Sequence, residues 1–250
     1  MSYMDAANGD TMETLKIRHS DRPSVCIFEA NPEITDKWEL LEMSTLNGIY
    51  EWEKQLIKHY PNGDWGVTIH DTIPFSDHEF KTPDDYRYCN IMFNFEKENT
   101  ESSAIGTTHI DFSKSYHKYM FINVYLQQHI PQENILIVTD GSQGVFKVSL
   151  GKTELIPNTI RSIALHEFGH ALGLLHYDVN TPFKANEHGT DRSSMYYSIN
   201  LNDEDQILQV RQPEITTIKE LYGEDGWLGQ TPAWKIRGCA VINTIVKSCE

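Results

Sequence analysis

Between residues 35 and 60 the positions of Trp38, Leu41, Thr45, Leu46, Ile49, Trp52 and Leu56 fall at the spacing of one face of an amphipathic helix. Pro61-Asn62-Gly63 stops it. Its two tryptophans are expected in the core. Residues 25–29 read as a strand ahead of this helix. Residues 65–70 and 88–95 read as strands after it, the latter alternating Ile91, Phe93 and Phe95 on one face. Further strands follow at 106–112 and 119–126. Residues 135–139 and 145–150, joined through Asp140-Gly141-Ser142-Gln143-Gly144, read as a hairpin. Pro157-Asn158-Thr159 starts a second helix with Asn158 or Thr159 as its cap, and Pro213 opens a third that Gly223 closes. Strand, helix, strand, strand implies a sheet with at least one crossover helix, hence the α+β class. The polar stretch 177–192 follows neither period and reads as irregular.

With 250 residues, 39% of them hydrophobic, the chain can bury a full core in one elaborated domain or one domain with a small appendage. The expected division is a polar N-terminal extension at 1–14, a main domain at 15–223, and a tail at 224–250 packed back on it. No segment approaches the roughly 20 apolar residues that cross a bilayer. A formal charge of −15 leaves no basic stripe, which argues against nucleic acid and anionic membrane surfaces as partners. The first residues, from Met1 to Asp10, have neither the basic start nor the apolar stretch of a signal peptide. In an oxidising compartment Cys239 is expected to pair with Cys249 across a short loop, and Cys26 with Cys89. None stands in a Cys-x-x-Cys spacing, so no thiolate metal site is expected. A monomer, secreted as a mature form, is the expectation; a cytoplasmic protein is the alternative.

Candidate chemistry is concentrated in the run His166-Glu167-Phe168-Gly169-His170-Ala171-Leu172-Gly173-Leu174-Leu175-His176. His166 and His170 stand four apart, so on a helix their imidazoles share one face and can bind one ion. Glu167, rotated by roughly 100° from His166, is kept off the metal but placed to take a proton from an attacking water. Continuous helix would carry His176 about 15 Å from His166, far beyond zinc–nitrogen bonds of about 2.0–2.1 Å. The helix must therefore end between them, and Gly173 is where a left-handed residue comes cheaply. Three neutral histidines leave an open fourth position, as in catalytic rather than structural zinc sites. Downstream, Asp178, Asn180, Asn186, Glu187, His188 and Asp191 are oxygen-rich enough for Ca²⁺, but no EF-hand order is present and a plain loop is expected.

The run resembles the HExxHxxGxxH signature of the metzincin clan of zinc endopeptidases, which also requires a methionine turn downstream. Ser193-Ser194-Met195-Tyr196-Tyr197 matches that turn. The resemblance implies that Met195 forms a hydrophobic floor beneath the metal without binding it. Ser-x-Met-x-Tyr is similar to astacins and serralysins, which implies that Tyr197 reaches the zinc or the transition state. Ile215-Thr216-Thr217-Ile218-Lys219-Glu220-Leu221-Tyr222-Gly223 looks instead like the end of the matrixin domain. The stretch from His176 to Met195 is longer than in matrixins, and residue 177 is Tyr where these branches have Ser, Glu or Pro. The clan is therefore assigned without a branch, over residues 157–223.

The clan implies a zincin-like α+β domain, with a mixed twisted sheet above the active-site helix and a smaller C-terminal part below. An extended peptide or protein substrate would lie in the cleft between them. By the same analogy residues 106–112 form the edge strand that binds it, and the polar run Thr107-Thr108-His109-Ile110-Asp111 suits an exposed edge. The expected activity is hydrolysis of internal peptide bonds with one catalytic Zn²⁺. Glu167 is the general base and Tyr197 a donor to the oxyanion. A zinc aminopeptidase or amidase is one rival. A non-catalytic zinc-binding module is another, and Glu167 argues against it, because a structural site gains nothing from a base.

Overall fold

The computed structural model describes residues 22–77, 88–100, 104–112, 118–127, 136–140, 144–148, 157–176, 191–195, 207–227, 241–242 and 245–246. Strand β1 (Ser24–Ile27) leads into α1 (Trp38–His59), which crosses over to β2 (Thr68–Ile69), parallel to β1. A parallel pair needs such a connection, because its strands start at the same end. Then come β3 (Ile91–Glu98), β4 (Gly106–Phe112) and β5 (Lys118–Gln127). The five strands form one mixed sheet in the order β2-β1-β3-β5-β4, parallel throughout except for β4, which runs antiparallel to β5 at the edge. The protein is thus α+β with a mixed sheet.

Both faces of the central strands are covered. Ile91, Phe93 and Phe95 of β3 join Val25, Ile27, Met120, Ile122 and Val124 in the main core, as their alternation implied. Met92 looks the other way and packs with Cys26, Cys89 and Ile73. Cys26 and Cys89 are joined by a disulfide with 5.7 Å between their Cα atoms. Cys239 and Cys249 lie outside the described residues.

Helix α1 turns Leu41, Ile49, Trp52 and Leu56 inward, and α2 (Pro157–Ala171) packs against it beneath β4 and β5. The two helices approach closely at Gly48, where a Cβ would stand 2.7 Å from the carbonyl oxygen of Arg161. Trp52 closes the contact by donating its indole N–H to the Leu165 carbonyl at 2.8 Å. Trp38 is only partly buried, edge-on to Phe95 with ring centroids 5.5 Å apart. Pro157 is itself the first residue of α2, so Asn158 and Thr159 lie inside the first turn rather than capping it. The fixed φ of proline suits that first position, where the missing N–H costs no helical bond.

The hairpin expected around 135–150 is formed by β6 (Leu136–Asp140) and β7 (Gly144–Val148). Two pairings were not anticipated. In one, β8 (Asp191–Ser193), at the end of the stretch read as irregular, runs parallel to β9 (Ile207–Gln209). Three residues are too few for a period to register. Helix α3 (Gln212–Tyr222) follows, and β10 (Val241–Ile242) pairs with β11 (Ile245–Val246) in the other. Between α3 and that last hairpin, Gly226 bridges to Asp64 and the buried Trp227 stacks edge-on against Trp65 and Tyr222. Among the described residues, no helix is long and apolar enough to cross a membrane.

Candidate metal centre

Helix α2 carries the first two histidines. Residues 162–169 of it are all buried, since the helix lies between the sheet, α1 and the methionine turn. It ends where the spacing requires. Gly173 has φ of 103°, its N–H bonds to the His170 carbonyl at 2.9 Å, and the Leu174 N–H bonds to the Gly169 carbonyl at 3.0 Å. These are the two bonds of a Schellman turn with glycine at the left-handed position. The reversal brings His176 back. Its Nε2 lies 2.9 Å from that of His166 and 3.0 Å from that of His170, and the latter two are 3.1 Å apart.

The His166–His170 contact is not a hydrogen bond. His166 Nδ1 lies 2.7 Å from the Ser194 carbonyl oxygen, and His170 Nδ1 lies 2.8 Å from that of Leu174. A carbonyl only accepts, so both Nδ1 atoms carry the hydrogen and both Nε2 atoms present lone pairs. The His166–His170 pair has no proton to share. Nitrogens converging at this distance could hold a metal ion. Nitrogens bound to one zinc at about 2.0–2.1 Å must lie within about 4.2 Å of one another, and these do. Burial lowers the pKa of all three rings. His166 falls well below the usual imidazole value, with His170 and His176 adding to the effect and the Ser194 carbonyl opposing it. His170 falls to about 4 by burial and the neighbouring His176, against the Leu174 hydrogen bond; burial also lowers His176. The rings are therefore neutral near pH 7, the form that offers a lone pair to a metal.

Glu167 is buried beside them, and among the described residues only the three histidines converge on a common point. Burial pushes its carboxyl up to about 7, while a hydrogen bond from Thr108 opposes the shift. Thr108 Oγ1 is 2.7 Å from Glu167 Oε2 and 3.0 Å from its carbonyl oxygen.

Met195 is fully buried below α2. Gly169, an unspecified position in the histidine motif, makes this possible, because a Cβ there would collide with the Met195 sulfur and stand 2.9 Å from Trp52. The turn itself hangs on a residue outside both motifs. Glu214 is completely buried, and its Oε1 accepts from Ser193 Oγ at 2.5 Å, Ser194 Oγ at 2.6 Å and the Met195 N–H at 2.9 Å. Its Oε2 accepts the Arg211 N–H. Burial raises its pKa, and the donors from Ser193, Ser194, Arg211 and Met195 resist the shift. One sequence signal for it existed: a Glu at the third position of a helix behind a proline is the acidic half of a capping box. Tyr197 and the oxygen-rich residues from Asp178 to His188 lie outside the described residues, and Asp191 opens β8.

No protein-family model matches the chain, and no curated protein matches it.

Proposed function

We propose that this chain is a zinc-dependent endopeptidase of the metzincin type. The observation that carries the reading is the convergence of three imidazole Nε2 atoms at 2.9–3.1 Å beside a buried glutamate, with two Nδ1 atoms committed to carbonyls. Zinc, when bound, would supply Lewis acidity to the scissile carbonyl and lower the pKa of water toward about 7. His166, His170 and His176 would hold it. Glu167 would take a proton from the attacking water at its carboxylate and return it to the leaving amine. Tyr197 would donate a hydrogen bond to the developing oxyanion.

The sheet edge supports a peptide as substrate. The Tyr125 N–H bonds to the Ile105 carbonyl at 3.0 Å, so by the alternation of an antiparallel pair residues 105, 107, 109 and 111 exchange bonds with β5. The backbone groups of Gly106, Thr108 and Ile110 then face outward, ready to pair with an extended chain. The buried Cys26–Cys89 disulfide supports an oxidising compartment as the place of action.

The test is metal analysis and turnover of a peptide blocked at both termini, on the same sample. Glu167→Gln is expected to keep one zinc per chain and lose most activity. Tyr197→Phe is expected to lower kcat on the order of 10²-fold or somewhat less, with little change in KM. An active Glu167→Gln protein would remove Glu167 from the mechanism, and a parent that cleaves no peptide would end the proposal.

A further inference from the structure

Each histidine of the HExxH motif is oriented by a backbone carbonyl, Ser194 for His166 and Leu174 for His170. Glu167 is reached instead from the sheet. Thr108 Oγ1 stands 2.7 Å from Oε2, and its single hydrogen is shared with the Glu167 carbonyl oxygen at 3.0 Å. The other carboxylate oxygen, Oε1, occupies space left by Gly106, where a Cβ would lie 2.6 Å from Oε1, 2.9 Å from Glu167 Cγ and 2.7 Å from Ile163 Cγ2. Residues 106 and 108 are two apart on one strand and so share a face. One supplies a hydroxyl and the other the absence of a side chain.

We infer that Thr108, with Gly106 beside it, is a positioning residue that holds the Glu167 carboxylate in its working orientation, a role that rests on reading Glu167 as the base. A glutamate has three side-chain torsions, and a buried one without a fixed donor would sample several orientations. The hydroxyl of Thr108 selects one, and Gly106 leaves room for that one. Both residues turn their backbone groups to the edge of β4, which no other described strand pairs, so a peptide pairing there lies against the residues that aim the base. Substrate binding and orientation of the base thus share one strand.

The test compares two pairs that differ by one hydroxyl: the parent with Thr108→Val, and Thr108→Ser with Thr108→Ala. Gly106→Ala is the steric counterpart. Zinc content, kcat and KM on a doubly blocked peptide, and crystal structures of the zinc-loaded proteins are the readouts. All variants are expected to keep one zinc per chain. Thr108→Val and Thr108→Ala should lose about tenfold in kcat at unchanged KM, while Thr108→Ser stays within about twofold of the parent. The crystal structures should show the Glu167 carboxylate turned away in Thr108→Val, Thr108→Ala and Gly106→Ala, and in place in Thr108→Ser. An unmoved carboxylate with unchanged kcat in Thr108→Val overturns the inference, as does a rise in KM at constant kcat. Should Thr108→Val not fold, the Ser and Ala variants decide the same question. Should the parent cleave no peptide, the proposed function falls, and the carboxylate position in the variants still decides whether Thr108 holds it.

Discussion

A carboxylate can be buried at Glu214 because donors from Ser193, Ser194, Met195 and Arg211 all meet it. The consequence reaches the metal site in two bonds: Glu214 holds the Ser194 hydroxyl, and the Ser194 carbonyl orients His166. Removing the acceptor strands several buried donors at about 1–3 kcal/mol each. Glu214→Ala is therefore expected to cost about 3 kcal/mol or more of folding stability, measured by urea unfolding of the metal-free protein. It should also weaken zinc about tenfold, the usual scale for losing a partner behind a ligating histidine. A Glu214→Ala protein with zinc affinity equal to the parent's would show that the turn keeps its shape without this carboxylate. The capping bond of Glu214 to Arg211 is local, but its hold on Ser193, Ser194 and Met195 could not be read from residue spacing, because they lie 19 to 21 residues ahead of it. Thr108 was hidden for the same reason, 59 residues from Glu167. The three histidines were visible because one helix and one turn fix them, and both are written locally.

At the level of elements, two glycines make a controlled comparison. Gly173 ends α2 and Gly223 ends α3, at φ of 103° and 93°. Alanine at either position is expected to cost about 1–2 kcal/mol, since an L-residue is strained there. Only the turn at Gly173 supplies the Leu174 carbonyl to His170 and redirects the chain to His176. Gly173→Ala should therefore lower zinc affinity by tenfold or more, whereas Gly223→Ala should lose stability alone. Titration of both variants with zinc against a competing chelator checks this, and equal affinities would detach the turn from the site. Helix α1 was legible in the sequence because many apolar positions repeat within it, and α2 and α3 because Pro157, Pro213 and Gly223 punctuate them. Strands β8 and β9 were not, since three residues carry no period and their pairing depends on the packing of α2 beside them.

For the whole molecule, the core runs from β1 through α1, β3, β5 and α2 to α3 and Trp227 without drawing on the metal. Removing zinc should thus lower the melting temperature without unfolding the chain at room temperature, unlike a zinc finger. The stabilisation by zinc is about 4 kcal/mol when free metal exceeds its Kd a thousandfold. Circular dichroism and thermal melts with and without chelator test this; loss of all helix signal on chelation would make the site structural and undo the catalytic reading. The order of elements implied a sheet with a crossover helix, and the metzincin resemblance implied a mixed sheet with residues 106–112 at its edge; the antiparallel direction of β4 was not anticipated. The disulfide between Cys26 and Cys89 closes a loop spanning 63 positions that contains all of α1 and β2. A chain with the peptidase activity proposed above would work among peptidases, including copies of itself. A single cut inside that loop would leave the two pieces covalently joined, and only reduction would let them part.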